Sequence, residues 1–88
     1  MQFVNHNGRL SVPGTNDDLA FIDYEEDRNT WKITNTYVSP ALRGQGIAQQ
    51  MIDELVSLAR KQNIKINPAC LFAKKVFEKG LYADIELK

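Results

Sequence analysis

Trp31-Lys32-Ile33-Thr34-Asn35-Thr36-Tyr37-Val38-Ser39-Pro40-Ala41-Leu42-Arg43-Gly44-Gln45-Gly46-Ile47-Ala48 changes character twice. Trp31 to Val38 is rich in β-branched and aromatic residues, which suits a strand near the middle of a sheet. A short loop with one proline and two glycines follows, and then the apolar period lengthens. Ile47, Met51, Leu55, Leu58 and Ala59 form one stripe, widened by Ala48, Ile52 and Val56, while Gln49, Gln50, Asp53, Glu54, Ser57, Arg60 and Lys61 fall mostly opposite. The spacing predicts an amphipathic helix of about four turns, ending near Gln62-Asn63, where asparagine can take the left-handed cap. Gly44 and Gly46 flank one residue at the helix start. They leave backbone N–H groups unshielded by Cβ atoms where the helix dipole adds positive charge, a seat for an anion and most often for phosphate.

On the N-terminal side, Phe3-Val4 and Leu10-Ser11-Val12 flank His6-Asn7-Gly8, and Asn-Gly is a strong hairpin signal because both residues tolerate positive φ. Pro13-Gly14-Thr15-Asn16 punctuates the chain before a third strand, Leu19 to Tyr24, and Glu26 to Asn29 is a polar turn into the fourth. Four strands joined by short turns read as an antiparallel meander. On the C-terminal side, Ile64 to Asn67 is a short strand stopped by Pro68, and a strand, helix and strand in succession imply that it runs parallel to Trp31–Val38. Phe72, Ala73, Val76 and Phe77 give a second helical stripe ending at Gly80, and Leu81 to Leu87 reads as an edge strand or a surface segment.

Composition bounds the rest. The 88 residues, 43% hydrophobic and 25% charged, fit one α/β domain with a single core. The formal net charge of zero argues against nucleic-acid binding by counterion release. Charge is uneven, though, acidic from Asp17 to Asp27 and basic from Arg60 to Lys79. One cysteine cannot form an internal disulfide, no stretch approaches the ~20 apolar residues of a membrane span, and Met1 to Gly14 does not read as a signal peptide. A cytoplasmic protein without membrane contact is expected. One histidine and one cysteine do not make a metal ligand set.

The loop lacks the Lys-Ser or Lys-Thr of a nucleotide P-loop and the third small residue of a dinucleotide fingerprint. Arg43-Gly44-Gln45-Gly46-Ile47-Ala48 instead resembles the signature of the GNAT superfamily of acyl-CoA-dependent N-acetyltransferases: arginine or glutamine, two residues, glycine, one residue, glycine or alanine. With Ile33–Val38, the following helix and Pro68-Ala69-Cys70 before a short helix, the chain is similar to a subfamily of small single-domain GNAT-like proteins with a Pro-x-Cys motif. The resemblance covers roughly Phe3 to Ala83 and implies one GNAT-like domain over residues 1–88. In that architecture the parallel strands splay apart and the pantetheine arm of the cofactor fills the gap.

The resemblance implies acetyl-CoA as cofactor, with backbone N–H groups from Arg43, Gly44, Gln45, Gly46, Ile47 and Ala48 on the pyrophosphate and groups near Tyr37 and Val38 along the pantetheine. It implies acetyl transfer to an amine acceptor, small molecule or protein, at a shallow site or one completed by a partner or self-association. The alternative is an acetyl-CoA-binding module without turnover. Departures from the pattern fall on the chemistry: Phe77 stands where many members carry the tyrosine that protonates the CoA sulfur, Tyr37 where glutamate is common, and Asn35 where histidine is common. Cys70 has a counterpart in the small subfamily and fits three roles: proton donor to the CoA thiolate, acyl-accepting nucleophile, or wall of the channel. Thr34-Asn35-Thr36 is a polar run at the end of an otherwise apolar strand, which makes Asn35 and Thr36 candidates for the acyl site beside Cys70.

Overall fold

In the computed structural model, which describes residues 3–6, 8–15 and 17–87, five strands form one sheet in the order β1 (Val4–His6), β2 (Arg9–Pro13), β3 (Asp18–Asp27), β4 (Thr30–Val38) and β5 (Lys65–Pro68). The first four pair antiparallel with their chain neighbours, and β5 runs parallel to β4, with Thr30 opposite Lys65 and Ile33 opposite Pro68. The meander and the parallel crossover are as the sequence predicts. Asn7 of the opening turn and Asn16 of the second turn lie outside the described residues.

Alternation along β3 separates the two faces of the sheet. Ala20, Ile22 and Tyr24 are buried, while Leu19, Phe21 and Asp23 turn the other way. β4 begins in the same phase, with Trp31 and Ile33 buried and Lys32 exposed, and then changes it. Asp23 lies opposite Asn35 but Tyr24 lies opposite Ile33, so Thr34 is an extra residue, a β-bulge. The Thr34 hydroxyl donates to the Asp23 carbonyl (3.4 Å) where the ladder is interrupted. Beyond the bulge Thr36 and Val38 face the core side, opposite Ile22 and Ala20, while Asn35 and Tyr37 are turned out.

The crossover helix α1 (Ile47–Gln62) lays Ile47, Met51, Ile52, Leu55, Val56 and Ala59 on the core face of the sheet. Each large aliphatic side chain so buried contributes roughly 1.5–3 kcal/mol relative to exposure. Asn63 closes the helix in the predicted left-handed conformation (φ 57°), and Ile64 N–H donates to the Ala59 carbonyl at 2.9 Å. After β5 the short helix α2 (Leu71–Phe77) adds Ala73, Val76 and Phe77 to the same core.

The segment after α2 packs over the far edge of β5. Tyr82 and Ile85 are buried, Ile66 N–H donates to the Ile85 carbonyl, and Leu87 N–H donates to the Ile66 carbonyl, both at 2.8 Å. Pairing is confined to one parallel bridge, Ile66 with Glu86. Arg60 clamps Asp84 through two hydrogen bonds (2.8 and 3.0 Å) and holds its carboxyl below the usual carboxylate range. Among the described residues, no helix is long and apolar enough to cross a membrane.

Candidate functional site

β4 and β5 part at one atom. The Ile33 carbonyl accepts hydrogen bonds from both Ala69 N–H (3.1 Å) and Cys70 N–H (3.0 Å), and past that point the chain after β5 turns into α2. The pairing of β4 with β5 ends at Ile33, so the edge of β4 from Thr34 to Val38 has no strand beside it on that side. A central strand with an unpaired edge offers N–H and C=O groups at strand spacing to an extended ligand.

The loop closes the top of this fork. Ser39 starts a short 3-10 turn, Pro40–Leu42, and its hydroxyl accepts from Ala41 N–H (3.4 Å). Gly44 (φ 83°) and Gly46 (φ 72°) both take left-handed backbone angles, which a side chain makes costly. Gly46 occupies the N-cap of α1, so no side chain caps that helix. No hydrogen bond inside the described molecule engages the N–H groups of Gly44, Gln45 or Gly46. A 16-residue helix with an uncapped start beside free loop amides can accept an anion. The Arg43 guanidinium stands at the same place, its Nε donating to the Val38 carbonyl at 3.1 Å.

Fork and loop open into one cavity of about 570 Å³. β4 contributes Thr36, Tyr37 and Val38; the loop and helix start contribute Leu42, Arg43, Gly44, Gly46, Ile47, Ala48 and Gln49; and Phe72, Val76 and Lys79 form the opposite wall. Of the cofactor residues expected from the sequence, Tyr37, Val38, Arg43, Gly44, Gly46, Ile47 and Ala48 meet here. Gln45 does not line the cavity, and its side chain folds back to the Ala41 carbonyl. Phe72, Val76, Lys79 and Gln49 were not singled out as site residues. Phe72 reads in sequence as part of a core stripe yet is 39% exposed, and Lys79 is one of several lysines after Cys70 that composition cannot tell apart.

The expected acyl-site residues separate. Thr36 lines the cavity, and its hydroxyl lies 3.5 Å from the Cys70 sulfur. Cys70 is half-buried at the N-cap of α2, with Sγ accepting from Ala73 N–H (3.4 Å); no carboxylate, imidazole or amine among the described residues hydrogen-bonds to it. Asn35 is exposed on the opposite face of the sheet, opposite Asp23, because the bulge at Thr34 reverses the phase. His6 is exposed at the end of β1, and Trp31 is core, stacked on Tyr24.

Phe77 is buried, and the ring of Tyr82 packs on it with centroids 5.0 Å apart. The Tyr82 hydroxyl donates to Asp53 and accepts from the Gln49 side chain, tying the tail to α1 behind the cavity wall. Burial, reinforced by the hydrogen bond to Asp53, pushes the phenol up to about 12.

Comparison with known proteins places this geometry. The profile of the family described as GCN5-related N-acetyl-transferase matches residues 9–85. The solution structure of a GCN5-like protein of Staphylococcus aureus, proposed as an N-acetyltransferase, is 34% identical and superposes with a TM-score of 0.82 over 98% of this chain and 87% of that one. The crystal structure of a predicted acetyltransferase of Clostridium acetobutylicum, solved with acetyl-CoA, is 29% identical, with a TM-score of 0.59 over 84% of this chain and 56% of that one. The ribosomal-protein-S18-alanine N-acetyltransferase of Escherichia coli shares the fold at 13% identity, with a TM-score of 0.65 over 90% of this chain and 52% of that one. No curated protein matches the sequence.

Proposed function

Because the chain belongs to the GCN5-related N-acetyltransferase family, we propose that it binds acetyl-CoA in the cavity between β4 and α2 and transfers the acetyl group to an amine. The observation that carries this reading is the conjunction, on one cavity, of an unpaired β4 edge and an uncapped α1 start. The two suit the two ends of one molecule, an amide-bearing arm and a pyrophosphate. The family relationship and the relative solved with acetyl-CoA support the same assignment.

The residues present fit that cofactor. The loop amides from Arg43 to Ala48 and the Arg43 guanidinium would hold the pyrophosphate, with Lys79 adding positive charge from the facing wall. The β4 edge at Tyr37 and Val38 would pair with the amides of the pantetheine arm, and a backbone N–H there would stabilise negative charge developing on the acyl oxygen. Bound acetyl-CoA supplies an acyl group activated as a thioester. Cys70 and Thr36 stand at the fork, 3.5 Å apart, with either one able to donate to the other, while the Cys70 sulfur also accepts from Ala73 N–H. Their role in this reading is to return a proton to the departing sulfur. Cys70 does not itself line the cavity and reaches it through Thr36, and with no base on Cys70 a donor role fits better than a wall or an acyl-enzyme nucleophile.

Acetyl-CoA should raise the melting temperature, and CoA thiol should appear when a panel of amines is supplied. Cys70→Ala should keep the thermal shift and slow thiol release. No shift at millimolar acetyl-CoA sinks the assignment. Binding without thiol release from any amine favours a binding module, the reading to which the buried Phe77 lends weight.

A further inference from the structure

The unpaired edge of β4 is not bare. The Leu19 carbonyl accepts from Ser39 N–H (2.7 Å), and hydrogen-bonded pairs alternate along the ladder from there, so the backbone groups of Val38 and Thr36 point away from β3 and into the fork. These are the groups that an extended, amide-bearing arm would use. One of them, the Val38 carbonyl, is already engaged by the Arg43 Nε at 3.1 Å. Val38 and Arg43 both line the cofactor cavity, so the guanidinium lies on the side where the arm would run.

That contact is one the side chain can leave. Arg43 is exposed, and no carboxylate among the described residues pairs with it. A neutral carbonyl therefore holds a cation next in sequence to the free amides of Gly44, Gln45 and Gly46. A pyrophosphate on those amides offers the same guanidinium charged oxygens, and side-on bidentate binding uses Nε together with one Nη. Nε carries one hydrogen and directs it to one acceptor. Lys79, the other cation lining the cavity, stands on the facing wall and has no hydrogen bond to β4 among the described residues.

We propose that Arg43 is a specificity-determining residue whose side chain withholds the Val38 carbonyl from a ligand without a pyrophosphate and releases it to a ligand that has one. This assignment rests on the acetyl-CoA reading above. An anion at the loop draws Nε to its oxygens, and the freed carbonyl then accepts an amide N–H of the arm. One side chain thus couples the two ends of the cavity. The phosphate half of the cofactor tightens the pantetheine half, and by linkage the pantetheine half tightens the phosphate half by the same factor. Thioesters of CoA are thereby favoured over phosphate-free pantetheine thioesters by more than the phosphate contacts alone.

Two fragments separate the ends: ADP for the loop and pantetheine for the strand edge. Their affinities, and that of CoA, are read by amide chemical-shift titration of the full chain, in wild type and in Arg43→Ala. In wild type, saturating ADP should tighten pantetheine about fivefold, the size of one net hydrogen bond. Arg43→Ala should tighten pantetheine by about the same factor without ADP, abolish the effect of ADP, and weaken both ADP and CoA. A gain of affinity on truncating a side chain is a result that neither misfolding nor a general loss of positive charge produces. Pantetheine that binds Arg43→Ala no more tightly than wild type, or that ignores ADP in wild type, overturns the proposal alone and makes Arg43 a fixed brace between strand and phosphate. Failure of wild type to bind CoA overturns the acetyl-CoA reading and the proposal with it.

Discussion

The two halves of β4 are one strand with opposite surroundings. Thr30 to Ile33 is paired on both edges, by β3 and β5, and sends Trp31 and Ile33 into the core. Asn35 to Val38 is paired with β3 alone, and Thr36, Tyr37 and Val38 of it line the cofactor cavity. A complete hydrogen-bond ladder makes the first half a foundation and leaves it nothing to offer a ligand. The second half keeps free backbone groups because its neighbour leaves, and the bulge between the halves reorients its side chains.

This contrast predicts opposite responses to truncation. Ile33→Ala removes a fully buried side chain from the paired half and should cost about 2–5 kcal/mol in urea unfolding, enough to unfold much of so small a domain. Tyr37→Ala, in the open half and 39% exposed, should stay within about 1 kcal/mol of wild type while impairing turnover. Equal losses would erase the distinction.

The tail sealing the paired half supplies a pH test. The fold holds the Tyr82 phenol neutral and pushes it up to about 12, so its stabilisation is fully present below the ordinary tyrosine value near 10 and is lost as pH rises toward 12. Wild type should lose about 2 kcal/mol more than Tyr82→Phe between those pH values, in urea titrations run in parallel. Lysine deprotonation is common to both proteins and cancels.

At the open half's loop, Gly46→Val places a branched side chain at φ 72° and should cost roughly 1–2 kcal/mol, with the thermal shift by acetyl-CoA abolished. Arg43→Ala should weaken that shift with little change in the stability of the free protein, because Arg43 is exposed. The smallest effect belongs to Thr36→Val. It keeps the branched shape, removes the hydroxyl facing Cys70, and should change stability by less than about 1 kcal/mol while slowing thiol release.

Much of this is local chemistry and legible as such. The switch of period after Val38, the glycines before Ile47, the left-handed cap at Asn63 and the short strand before Pro68 each depend on a few adjacent residues. They fixed the meander, the crossover and the loop. Asn35 and Thr36 are adjacent and similarly polar, and nothing local says which one faces the cavity.

That choice was made in three dimensions. The register of β4 against β3, with Thr34 left over, turned Thr36 inward and Asn35 out. Long-range packing likewise brought Thr36 to Cys70, Lys79 to the wall facing Arg43, and Tyr82 to Asp53 on α1. The sequence by itself determined which elements form and where an anion can be held, because those follow from backbone preferences and periodicity. Only the tertiary structure decided which side chains share a cavity, because that depends on where one strand stops pairing with another.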